Sequence, residues 1–174
     1  MKTLPLISLT SLFLFTSCGK KPSVAVTHEP AISLDAYFTD SAPPDAQPIH
    51  LIRETAKPGD AVTISGRVMG RKFPFVDGRA AFVLGDPEVI TACNDMPDDE
   101  CETPWDACCE TKEAISKATA TIQILGEDGR VLKTSVKGNH GLKELSSVTL
   151  TGTLDQSSTP EALVINASSL HVAN

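Results

Sequence analysis

The sequence predicts a mainly β protein in which five or six short strands close into a small barrel. Three observations lead there. Short runs alternate apolar and polar side chains, as strands with one buried face do. Turn dipeptides such as Gly59-Asp60 and Asp77-Gly78 punctuate them. After residue 58 no stretch carries a long helical period.

The first strand is expected over residues 61–70, with Val62, Ile64 and Val68 inward and Thr63, Ser65 and Arg67 outward. Gly66 interrupts the inward row, and a glycine inside a strand commonly marks a bulge or sharp bend. The second strand is expected over 79–86, with Phe82 in the core, and the third over 118–125, with Ile122 and Ile124 inward. Residues 126–129 turn the chain, and 130–136 continue as strand or extended loop. Residues 138–145 have room for one helical turn. Alternation returns at 147–154, and the apolar runs 162–167 and 170–172 complete the set. An immunoglobulin-like sandwich needs about seven strands and fits less well.

The order of these strands and their glycines resembles an OB-fold, a five-stranded Greek-key barrel. The resemblance rests on Val62-Thr63-Ile64-Ser65-Gly66-Arg67-Val68 as the first strand and on the Leu84-Gly85-Asp86 ending of the second. It rests also on the closing pair, residues 148–154 with 163–170. It covers roughly residues 59–173 and implies an OB-fold-like barrel with a Cys-rich insertion between strands 2 and 3. OB-folds bind oligonucleotides, saccharides or proteins on one sheet face. Nucleic acid is not expected here. The chain carries a formal charge of −7, whereas a phosphate-backbone binder needs clustered Lys and Arg. Arg71, Lys72 and Arg79 are the small basic exception beside the first loop.

Residues 1–17 read as a secretory signal. Lys2 precedes an apolar run, Leu4 to Phe15, too short to span a bilayer as a helix. Leu14-Phe15-Thr16-Ser17-Cys18 resembles a bacterial lipobox, in which the cysteine becomes the lipidated N-terminus; Phe15 stands where leucine is usual. The resemblance implies lipidation at Cys18, a membrane contact through that lipid, and a place in the bacterial cell envelope facing periplasm or exterior. Loss of residues 1–17 removes Lys2 and no acid, taking the formal charge from −7 to −8. Residues 18–58 then read as a tether, because six of the twelve prolines fall between 22 and 58 and prolines at that spacing keep a chain extended. Within it, Ile32 to Phe38 is expected to dock on the domain, and residues 49–56 to form a turn or two of helix. His28 and His50 are expected to be solvated. The barrel domain is expected from 59 to 174.

The insertion, residues 91–110, holds the other four cysteines: Cys93, Cys101, Cys108 and Cys109. Seven acidic residues accompany them. In an oxidising compartment an even set of cysteines reads as disulfides. Bridging the adjacent Cys108 and Cys109 strains a small ring. Two pairings remain: Cys93–Cys108 with Cys101–Cys109, or Cys93–Cys109 with Cys101–Cys108. Either staples a loop poor in apolar residues, with Trp105 as its local core. The alternative is a zinc or copper site on the same four sulfurs, although the spacing lacks the closely paired cysteines of a zinc knuckle. There is no C-x-x-C, hence no thioredoxin-like mechanism.

No G-x-S-x-G, H-E-x-x-H, Walker loop or G-x-G-x-x-G occurs. His140 and His171 sit in outward-facing positions with no partner visible in sequence. The expected function is therefore non-catalytic: a membrane-tethered module with a disulfide-stapled loop and no cofactor, binding a protein or saccharide of the envelope whose identity the residues leave open. An exported zinc, copper or redox protein is the alternative.

Overall fold

A computed structural model describes residues 32–98 and 100–173. The signal segment, Cys18, His28 and the first part of the tether lie outside them. Among the described residues no helix is long and apolar enough to cross a membrane. Six strands form one sheet: β1 (Gln47–Pro48), β2 (Ala61–Arg67), β3 (Ala81–Gly85), β4 (Thr119–Gln123), β5 (Ser147–Leu154) and β6 (Leu163–Ala173). β2 pairs with β3, β3 with β4, β4 with β6, β6 with β5, and β5 back with β2. The last five strands thus close into a barrel, all antiparallel except the β4–β6 seam. This is the OB-fold-like architecture expected. β1 adds a short parallel pair on β2.

The alternation in sequence places the core. Ile64, Phe82, Ile122, Leu150, Ile165 and Leu170 are fully buried, each from a different position around the wall. The Asp77-Gly78 turn forms with Gly78 at φ +64°, and across the resulting hairpin the Val76 amide donates to the Ala81 carbonyl and the Val83 amide to the Pro74 carbonyl. The β2–β3 seam is weak, with Arg67 opposite Gly85 as its one paired position. That is the end of the barrel from which the insertion leaves.

Three details differ from the sequence expectation. Gly66 is not a bulge: β2 pairs with β5 in regular register from Ala61 to Arg67. A Cβ there would lie 2.7 Å from the Gly85 carbonyl oxygen, so the glycine permits β3 to cross closely. The bulge is at Thr151/Gly152 in the β5–β6 hairpin. Residues 130–136 take the extended-loop alternative, with one Leu125–Val131 bridge, and the helical turn expected within 138–145 is a 3-10 turn at Asn139–Gly141. A short helix, α2 (Lys112–Ala118), ends the insertion, capped by Thr111 accepting from the Ala114 amide.

The third difference concerns the tether. From about residue 33 the chain belongs to the packed domain. Leu34 is buried, Tyr37 donates its hydroxyl to the Leu125 carbonyl at 3.0 Å, and the Thr39 amide bonds the Leu170 carbonyl. The docking expected of residues 32–38 is therefore seen. Helix α1 (Ile49–Thr55) buries Ile49 and Ile52 in the main core. Arg53 fastens it by donating to the carbonyls of Lys117, Thr119 and Pro160. Leu34, Ile49 and Ile52 are spaced to meet the barrel core, which proline counting misses.

Candidate functional site

The insertion is anchored before it does anything chemical. Its ends are held together by the Asp86 amide bonding the Ala118 carbonyl at 2.8 Å. Three contacts seat it on the end of β2: the Gly70 amide to the Trp105 carbonyl, the Trp105 indole N–H to the Lys72 carbonyl at 3.1 Å, and the Arg67 guanidinium to Asp95 at 2.5 Å. Beneath it Met69, Ile90, Ala92, Ala107 and Ala118 make a small second core. Trp105 is not that core; it is half-buried and serves as a strap.

Within this frame the chain folds back on itself. Cys93 opens a 3-10 turn, Cys93–Asp95. Its amide donates to the Asp106 carbonyl at 2.8 Å, and the Asn94 amide to that of Pro104, also at 2.8 Å. This two-bond ladder sets Cys93 beside Cys108, with Cys101 on the intervening loop. The sulfurs of Cys93 and Cys108 are 3.5 Å apart. Those of Cys93, Cys101 and Cys108 all lie within 4.8 Å of one another. Cys93 is buried, Cys101 half-buried and Cys108 exposed. Cys109 is exposed and stands outside the cluster.

No pair of the four cysteines is at disulfide distance. The expected two-disulfide staple is not the arrangement found, since a bond needs about 2.05 Å between sulfurs. The insertion is held instead by the ladder, the small core and the Arg67–Asp95 pair. The thiols are electrostatically unequal. Burial pushes the Cys93 thiol up to about 12. A hydrogen bond from the Thr103 hydroxyl, 3.6 Å from its sulfur, lowers that of Cys101. Cys108 is held above its ordinary value: the Cys93 contact pulls it down, and the Cys101 sulfur and burial outweigh that pull.

The cluster fits a metal cation. Zinc–sulfur bonds of about 2.3 Å put neighbouring sulfurs roughly 3.8 Å apart in a tetrahedral site. The Cys93–Cys108 contact at 3.5 Å is within a few tenths of an ångström of that spacing, the other separations are within about 1 Å of it, and a fourth position is left open to water. Three of the seven acids of the insertion are employed elsewhere. Asp95 holds Arg67 and accepts from the Asn94 amide group, Asp106 accepts from the Ala107 amide, and Glu110 from the Thr91 amide.

The histidines behave differently from expectation. The His50 ring is not merely solvated: its Nδ1 lies 2.8 Å from the buried Asp86 carboxylate, which also accepts the His50 amide. His140 stacks on Phe38, with ring centroids 4.5 Å apart, and meets Asp35 at 3.0 Å. His171 Nδ1 donates to the Thr39 carbonyl at 3.1 Å. Among the described residues the three-thiol group is the one convergent set of metal-ligating side chains.

Fold and site together define a small closed β-barrel domain bearing a three-thiol cluster on an inserted loop. No protein-family model, curated protein or solved structure matches the chain.

Proposed function

We propose that this protein is a lipid-anchored, extracytoplasmic metal-binding module. Its barrel is a non-catalytic scaffold, and its insertion presents Cys93, Cys101 and Cys108 to one soft cation, zinc or copper(I). The observation that carries this reading is the mutual approach of three sulfurs within 4.8 Å. Thiolates select soft d10 ions, and the acidic balance of the chain raises the local concentration of cations. The lipobox-like segment ending at Cys18 supports the anchor and the cell-envelope address.

A second reading has one specific observation behind it. The 3.5 Å contact between Cys93 and Cys108 also suits a permanent disulfide, in which case the domain is a stapled module for an envelope protein or saccharide. Thiol counting on denatured full-length protein, with elemental analysis of the native sample, separates the two. The metal reading, with the Cys18 sulfur taken up by its lipid, expects four titratable thiols and one zinc or copper per chain. Two thiols, those of Cys101 and Cys109, together with absence of metal overturn it in favour of the staple.

A further inference from the structure

We propose that the metal site is redox-gated, with a reversible Cys93–Cys108 disulfide as its closed state; this rests on the metal reading above. The two sulfurs are already in contact at 3.5 Å. They sit on backbone segments locked together by the 93–106 and 94–104 amide bonds, so covalent closure asks little of the main chain. Their exposures differ in the way an exchange reaction needs. Cys108 is exposed and can be reached by an external disulfide, whereas Cys93 is buried, 1% exposed, with its sulfur against that of Cys108.

The co-reactant is a small-molecule disulfide. The Cys108 sulfur attacks one of its sulfurs, forming a mixed disulfide and releasing one thiol, which takes the Cys108 proton. The Cys93 sulfur then attacks Cys108, forming the internal bond and releasing the second thiol with the Cys93 proton. Two protein thiols are oxidised and one external disulfide is reduced to two thiols. Closure consumes two of the three ligands of the cluster and leaves Cys101, which alone does not hold the ion. A reducing thiol reverses the step and reopens the site. The device makes metal retention depend on the thiol–disulfide poise of the compartment.

The test uses the full chain with Cys109→Ser, which removes the ambiguity of two adjacent cysteines in one peptide. Reduced protein is titrated with zinc, then oxidised with glutathione disulfide and titrated again. Disulfides are mapped after cleavage at Glu100 and Glu102, which separates the three remaining cysteines of the insertion. The gate expects one zinc per reduced chain, a Cys93–Cys108 link after oxidation, at least about 100-fold weaker zinc binding in that state, and recovery with dithiothreitol. A dominant link through Cys101, or oxidised protein that keeps its zinc affinity within threefold, overturns the gate and leaves the metal reading standing. Reduced protein that takes up no zinc while the Cys93–Cys108 link still forms overturns the metal reading, and the gate with it.

Discussion

His50 and Asp86 show how a single residue pair ties distant parts of the chain together. Asp86 is fully buried at the end of β3, and one carboxylate oxygen accepts both the His50 amide and its ring nitrogen. It thereby satisfies one of the orphan amides at the start of α1. The carboxylate raises the His50 pKa above 6.5, against the opposing effect of burial; Glu88 and Glu54 add smaller favourable charge. A folded value above the unfolded one means that the contribution is fully present below about pH 6.5 and is lost as pH rises through the folded value. The urea midpoint should therefore fall between about pH 6 and pH 9, and His50→Gln should flatten that part of the fall. An unchanged pH profile in the variant refutes the assignment. Nothing in the sequence around His50 announces this pair, because its partner lies 36 positions away.

Among the elements, α1 best separates what patterning shows from what packing decides. Its Ile49 and Ile52 face the barrel while Leu51 is 40% exposed. Ile49→Ala should cost about 2–5 kcal/mol in chemical denaturation, as deleting a fully buried aliphatic side chain does. Leu51→Ala should change stability by less than about 0.5 kcal/mol. Equal effects would place both residues outside a packed core. The barrel strands themselves were readable from alternation: Val62, Ile64 and Val68 are all inward, and β5 spans the same residues, Ser147–Leu154, that the pattern marks. Gly66 was readable as special but not in kind. Its reason is a strand crossing at Gly85, and sequence carries no record of which strand crosses which.

At the scale of the whole molecule the thiol cluster and the proposed anchor are separate devices on one chain. Under the proposed function Cys18 carries the lipid and the other cysteines lie in the insertion, so Cys18→Ala should move the protein from the membrane pellet to the soluble fraction without altering the zinc stoichiometry of the domain. Continued sedimentation with membranes would rule out lipid attachment at that cysteine. The local pattern by itself determined the mainly β class, most strand positions and the concentration of cysteines in one insertion. Alternation and turn chemistry act between neighbours and are written in the order of residues. Only the tertiary structure decided that the supposed tether from residue 33 joins the core, that Asp86 holds His50, and that Cys93, Cys101 and Cys108 converge while Cys109 stays outside. Each of those depends on which backbones lie side by side after the barrel closes, and closure is set by long-range pairing and burial, which neighbouring residues do not encode.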